Sequence, residues 1–164
     1  MDALGHNISA DTFLSVKTAR AGLIKGEAGA SGHEDQITLR SWRWGMAANT
    51  DAALRSGTTS RRSLRALIVD KSFDRASTGL MNALATNDNV KEAVLTMRKA
   101  GDSQQDFLKI TLKDAQLQDI DYVADDTGKI SERLTFSYAR VDVEYRVQQA
   151  GGQVGATTTF NAES

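Results

Sequence analysis

Chemistry near neutral pH would fall first to histidine, and the chain has two, His6 and His33. His33 is followed by Glu34 and Asp35, so a metal site of two imidazoles and a carboxylate can be drawn. Metal ligands need fixed geometry and outer hydrogen bonds to orient them, whereas both histidines sit in polar sequence; they read as solvated surface side chains, with no metal. Asp126-Thr127-Gly128 spells the aspartic-protease triplet, but that chemistry needs two carboxylates sharing a proton, each in an apolar loop. The triplet occurs once, between Asp125 and Lys129, where Asp and Gly suit a turn. Asp119, Asp121, Asp125 and Asp126 form an acidic patch without the terminal bidentate glutamate of a calcium loop, and read as a hydrated connection.

The absence of cysteine removes disulfides, thiol catalysis and thiolate metal sites together. No glycine loop has the spacing that cradles phosphate, and no serine sits in a nucleophile elbow. No cofactor is expected, and enzyme is the poorest of the available classes. Arg55, Arg61, Arg62 and Arg65 concentrate positive charge without interleaved aromatics, which argues for a salt-bridging or subunit-facing surface and against nucleic acid. A net charge of −1 gives no whole-molecule field for nucleic acid or an anionic membrane. Trp42 and Trp44 lie two apart on one strand face and read as core packing. A carbohydrate-stacking platform and a protein interface remain the alternatives for this pair.

These side chains must be positioned by strands, because alternation dominates the chain. In Asp35 to Met46, Ile37 and Leu39 oppose Thr38, Arg40, Trp42 and Trp44. Ala93, Leu95 and Met97 alternate with Val94, Thr96 and Arg98; Leu108, Ile110 and Leu112 oppose Phe107, Lys109, Thr111 and Lys113. The longest run, Glu132 to Val147, moves its apolar side to the other face near Ala139, which predicts a bulge or a strand passing between two environments. Shorter strands are predicted at Thr12 to Lys17, Leu23 to Glu27 and Ser63 to Lys71. One short helix is predicted, capped by Ser77 or Thr78, with Leu80, Met81 and Leu84 on one side and Asn87 and Asn89 beyond its end. The fold class is therefore mainly β: a compact barrel of about eight or nine strands with one short flanking α-helix. At 164 residues the chain fits a single domain, 1–164, with polar, flexible ends at 1–11 and 148–164. Ala47 to Arg62, rich in Thr, Ser, Asn and Gly, is longer than a hairpin turn requires, and loops of that length usually serve a function. No apolar run approaches the roughly 20 residues of a membrane-spanning helix, and Met1 to Asp11 lacks the pattern of a signal peptide.

Ile24-Lys25-Gly26-Glu27, Trp42-Arg43-Trp44-Gly45-Met46, then Asp70 to Asp74 with Ser77-Thr78 and Leu80-Met81, follow one another along the chain. Val94 to Gly101, Phe107 to Lys113 and Glu132 to Tyr145 complete the order. Together, over about residues 12 to 147, these segments resemble the haemolysin-coregulated protein (Hcp) family of type VI secretion systems. The first is similar to its early strand-end motif, the second to its aromatic-x-Trp-Gly strand end, and the third to the approach to its single helix, where Gly79 stands at a position relatives often give to proline.

The resemblance implies a structural, non-catalytic tube subunit: homohexameric rings that stack into a hollow tube, driven outward by a contractile sheath beneath a spike protein. It also implies a lumen that holds small effectors. Localisation would be the bacterial cytoplasm before firing and then the exterior or a target cell, without a signal peptide. In relatives the excursion after the Trp-Gly strand end reaches toward the neighbouring ring. Self-assembly is therefore expected to involve Trp44, Asn49, Leu54, Arg55, Arg61 and Arg62. A toxin domain like that of some relatives has no room after Val147. A stand-alone carbohydrate- or peptide-binding module and a phage-tail tube protein are the competing functions.

Overall fold

The computed structural model describes residues 10–49, 61–100, 105–148 and 154–164. Among these residues the chain forms eleven strands and one helix. The strands are β1 (Ala10–Thr18), β2 (Gly22–Ile24), β3 (Ile37–Leu39), β4 (Ser41–Arg43), β5 (Met46–Asn49), β6 (Arg61–Leu64), β7 (Leu67–Ser72), β8 (Val90–Lys99), β9 (Asp106–Ala124), β10 (Ile130–Gln148) and β11 (Val154–Glu163). The helix α1 spans Ser77–Ala85. The predicted mainly-β class with a single helix is the observed one.

The main sheet is antiparallel and runs β2-β1-β8-β9-β10-β7-β4, with β3 added to β1 and β11 added to β10. Its two edges are brought together by one short stretch of chain. Ile37–Leu39 pairs with Thr12–Leu14 of β1; after Arg40, whose N–H donates to the Asp70 carbonyl at 2.8 Å, Ser41–Arg43 pairs with Ile68–Asp70 of β7. The sheet thus curls on itself, but the compact barrel expected from the sequence is not closed by one continuous ladder. Leu14, Ile37, Leu67, Leu95, Leu112 and Phe136 fill the interior, each fully buried. Each such side chain contributes about 1.5–3 kcal/mol when removed from water.

β10 carries the predicted exchange of faces. Leu134, Phe136 and Tyr138 are buried at even positions, then Val141 at an odd one. Its partner β9 exchanges at the same place, from Ile110 and Leu112 to Ala115 and Leu117, so the register is kept while both strands turn over. Asp114, at the crossover, adopts φ 48°, a left-handed conformation that Asp tolerates better than most residues. The register shift itself falls further along, between Thr135 and Phe136, where Gln118 is the extra residue of β9.

Two predicted details of the helix are corrected. No side chain caps its start from Ser77 or Thr78; the cap position is Ala76, whose N–H donates to Asp74 Oδ1 at 2.9 Å. Ser77 is instead buried in the first turn. Leu80 and Ala83 face the core, whereas Met81 and Leu84 point outward. Gly79 has a packing reason: a Cβ there would lie 3.1 Å from Ile24 Cγ2. The tail expected to be irregular contains β11, paired with Arg140–Gln148, and Ser164 Oγ donates to the Tyr138 carbonyl at 2.5 Å. At the other end Ala10 and Asp11 already belong to β1.

Beyond the helix, Asn87 takes φ 54° and delivers Asp88 to the β1–β2 turn. Asp88 accepts from the backbone N–H of Arg20 at 2.9 Å and of Ala21 at 3.3 Å. Burial pushes its carboxyl upward, but the Thr18 hydroxyl and these two N–H groups outweigh that and leave its pKa lowered. A carboxyl depressed in the fold stabilises it fully above the unfolded value of about 3.9, and that contribution is lost as pH falls through the lower folded value. Asp88→Asn should therefore destabilise the protein near neutrality, with the deficit shrinking below about pH 4. Urea titrations of both forms between about pH 7 and pH 2 measure this, and a deficit independent of pH would refute it.

Candidate functional site

The segment between β4 and β7 leaves the main sheet. Trp42 opposes Val69 across β4–β7, and both Trp42 and Trp44 pack against the core while remaining partly accessible. Trp44 Nε1 donates to Tyr138 Oη at 2.6 Å, and Tyr138 Oη donates to the Arg65 carbonyl at 2.6 Å. Burial pushes the Tyr138 phenol above its ordinary pKa, so it remains a neutral donor. The indole N–H is thereby committed within the fold, which favours the core-packing reading of the tryptophans over a sugar platform.

Past this anchor, Arg65 N–H donates to the Gly45 carbonyl at 2.9 Å, and a second, two-stranded sheet rises from it. Met46 pairs with Leu64, Ala47 with Ser63, Ala48 with Arg62 and Asn49 with Arg61. The stretch Ala47 to Arg62, read as irregular, therefore begins and ends as an antiparallel hairpin. Trp44 stands at its root, Asn49 and Arg61 form its last described pair, and Leu54 and Arg55 lie outside the described residues. Arg43, Arg62 and Arg65 are exposed and make no ion pair with a described side chain. Of the residues expected in self-assembly, the structure places Asn49, Arg61 and Arg62 on this hairpin and Trp44 just before it.

The other chemical candidates resolve locally. Asp125 Oδ1 accepts from Thr127 N–H at 2.9 Å, from the Thr127 hydroxyl and from Lys129 N–H at 3.1 Å, and Gly128 takes φ 87°. The protease-like triplet is the turn between β9 and β10. His33 is not a solvated side chain: it is buried, stacks on Phe13 at 4.4 Å, and contacts Gln36 Oε1 at 2.9 Å and Asp106 Oδ1 at 3.0 Å. Arg98 lies over the same Phe13 ring at 5.3 Å, donates to the Ser31 carbonyl at 2.8 Å, and is itself buried. This cluster clamps the 25–36 loop onto β1 and β8. Among the described residues no group of His, Asp and Glu side chains converges as a metal site requires, and His6 lies outside them.

Sequence reasoning missed one charged cluster. Lys71 and Glu132 are fully buried partners across β7 and β10. Lys71 Nζ also donates to Asp74 Oδ1 at 2.8 Å and to Ser77 Oγ at 3.1 Å, while Glu132 accepts from Ser77 Oγ at 2.7 Å and from Tyr122 Oη at 2.9 Å. Burial, then the Glu132 carboxylate, push the Tyr122 phenol well above its ordinary pKa. Lys71 Nζ and both carboxylate oxygens of Glu132 are hydrogen-bonded, so the cluster fastens the helix entry to the β7–β10 seam.

A curled antiparallel sheet, one helix packed on it and a hairpin rising after a Trp-Gly strand end define a type VI secretion protein when set against known chains. The family described as "Type VI secretion system effector, Hcp" matches residues 13–145. The chain belongs to the Hcp family. Protein hcp1 of Pseudomonas aeruginosa strain PAO1 is 28% identical over 153 residues, covering 88% of each chain. The crystal structure of Hcp1 from Salmonella typhimurium is similar at 28% identity and TM-score 0.73, covering 94% of each chain. Hcp2 from the same organism gives 26% identity and TM-score 0.69, covering 94% of this chain and 95% of that one. No helix among the described residues is long and apolar enough to cross a membrane.

Proposed function

We propose that this chain is a structural subunit of the secreted inner tube of a bacterial type VI secretion system. It forms homohexameric rings, the rings stack, and the lumen carries small effectors. The spike protein and the contractile sheath are its partners, the cytoplasm holds it before firing, and its role is not catalytic. One observation beyond family membership carries the reading. Among the described residues β5 and β6 pair only with each other, next to the Trp44–Tyr138 anchor, and Arg62 on β6 and Arg65 just after it are exposed without a described ion partner. A heterologous contact made by such an arm either closes into a ring or propagates as a stack.

Negative-stain microscopy with light scattering tests this directly: six-fold rings are expected, and a strict monomer at high concentration would overturn it. Charge reversal at Arg61 and Arg62, or deletion of Thr50 to Thr59, is expected to weaken stacking while the main sheet stays folded. The hairpin's sheet is separate from the main one, so its loss leaves the main-sheet ladder intact. Stacking should then require about tenfold higher concentration or more, because about 1.4 kcal/mol at an interface is already a factor of ten. Tubes of unchanged length would count against the hairpin's role.

A further inference from the structure

Two arginines stand together where the chain leaves the main sheet. Arg43 is the last residue of β4, opposite Ile68 of β7, and Arg65 lies between β6 and β7. Both residues are exposed, and neither makes an ion pair with a described side chain. With Trp44, Gly45, Ala66 and Ile68 they line a cavity of about 100 Å³. The frame that holds them is fixed by hydrogen bonds. Tyr138 Oη donates to the Arg65 carbonyl while accepting from Trp44 Nε1, and Arg65 N–H donates to the Gly45 carbonyl. A Cβ on Gly45 would lie 2.8 Å from Arg65 Nη1, so glycine is what lets that guanidinium rest against the strand end. The acids of the same sheet face are occupied or remote. Asp70 is held by Arg133 at 2.9 Å and by the Ser41 hydroxyl at 3.1 Å, and Asp119 stands two strands beyond Ile68, across Thr135.

Two guanidinium groups at one concavity repel each other until an anion joins them. We propose that this cavity binds a phosphate dianion, either free inorganic phosphate or the phosphomonoester end of a larger molecule. Charge, geometry and surroundings select that ligand. Each guanidinium offers a planar fork of N–H donors that matches phosphoryl oxygens two at a time. A phosphomonoester carries about −1.5 to −2 charges at neutral pH, which answers both cations, whereas a carboxylate answers one. The indole of Trp44 and the side chain of Ile68 give the cavity an apolar wall, where charge-assisted hydrogen bonds are stronger than in water. Bound there, the anion ties the end of β4 to the entry of β7 and steadies the root of the β5–β6 hairpin. The site is independent of the tube reading, because every group that forms it belongs to one chain.

Nuclear magnetic resonance titration tests it. The chain has two tryptophans, so it gives two indole N–H signals, and Trp42→Phe identifies the one from Trp44. Inorganic phosphate, added at constant ionic strength with sodium chloride as the balance, is expected to move the Trp44 signal saturably. Phenyl phosphate should do the same and acetate should not. Tenfold tighter binding of phenyl phosphate would identify an esterified ligand, and equal binding a free one. Arg43→Gln and Arg65→Gln are each expected to weaken phosphate binding at least tenfold. Lys113→Gln, an equal loss of charge at an exposed residue elsewhere, should change it less than twofold. Gly45→Ala keeps both charges and asks only the Arg65 guanidinium to move, so it should weaken binding at least threefold with an unchanged circular dichroism spectrum. The melting temperature should rise with phosphate in the wild type and not in the two glutamine variants. A Trp44 signal that answers phosphate no more than chloride, or acetate as strongly as phosphate, would overturn the site. Phosphate affinity unchanged in both glutamine variants would do so too.

Discussion

Glu132→Ala is expected to lower stability by about 3–5 kcal/mol, because removing one member of a buried ion pair strands the other without water or counter-charge. Lys71 and Glu132 face each other in the β7–β10 register with no solvent access. The alanine would leave the Lys71 ammonium with Asp74 and Ser77, and Tyr122 Oη without its acceptor. In a domain of this size each kcal/mol moves the melting temperature by about 2–4 °C, so a fall of about 10 °C should be visible in a thermal scan. Lys71→Met combined with Glu132→Leu is expected to recover more than half of the loss. A buried pair replaced by packed apolar side chains of similar volume is often neutral or better. A Glu132→Ala protein within about 1 kcal/mol of wild type would show that the pair is hydrated in solution. The helix entry hangs on the same cluster through Asp74 and Ser77, so the single variant should also loosen the outward placement of Met81 and Leu84.

That cluster was legible in the sequence, though only through phase. Leu67, Val69 and Lys71 share one parity and are all buried; Glu132, Leu134, Phe136 and Tyr138 share another and are likewise buried. Two opposite charges in the inward phase of two strands were the available signal, and treating charge as outward by default hid it. The exchange of faces near Ala139 was legible because many apolar residues vote on it. The extra residue at Gln118 was not, because a single displaced position leaves too little pattern to distinguish a bulge from a polar outward residue.

His33 fails in the opposite direction. Its neighbours Gly32, Glu34 and Asp35 are polar, and its burial depends on Phe13 and Arg98, residues far away in the chain that no local pattern connects to it. β11 lacks alternation because it is exposed over most of its length, although its run of Thr157, Thr158 and Thr159 carries the β-branched preference for strands. The candidate assembly element was located by length and composition, whereas its hairpin form was not, since Met46–Asn49 and Arg61–Leu64 pair across a gap too long for turn chemistry to predict. Met81 and Leu84 were expected on the same side of the helix as Leu80, but the helix turns only Leu80 and Ala83 inward.

Gly26→Ala is expected to be nearly as damaging as loss of Glu132, and Gly29→Ala, three residues on in the same loop, to be harmless. A Cβ at Gly26 would lie 2.5 Å from the Gln36 carbonyl oxygen and 2.8 Å from Ile37 Cα, both backbone atoms that cannot rotate away. The segment would have to part there, and several links part with it. Gly26 N–H donates to the Asp35 carbonyl at 2.7 Å, Ala28 N–H to the Gln36 carbonyl at 2.9 Å, and Arg75 Nη2 to the Gly26 carbonyl at 2.8 Å. Overpacking costs about 1–3 kcal/mol and each orphaned backbone group about as much again, so a total of about 3 kcal/mol or more is expected. Gly29 has no atom within 4 Å of the position its Cβ would take and no left-handed φ, so alanine there should change stability by less than about 1 kcal/mol, in the stabilising direction. Denaturant midpoints of the two variants separate the explanations. Equal midpoints would mean that the 25–36 loop is only loosely held; a large gap would show that the Lys-Gly-Glu motif exists to let two backbones touch. In that case Glu27, whose carboxylate accepts from the Arg75 N–H at 2.6 Å, and Gly26 act together as the clasp between this loop and the entry to α1. The clasp would then hold the helix from one side as Lys71 and Glu132 hold it from the other.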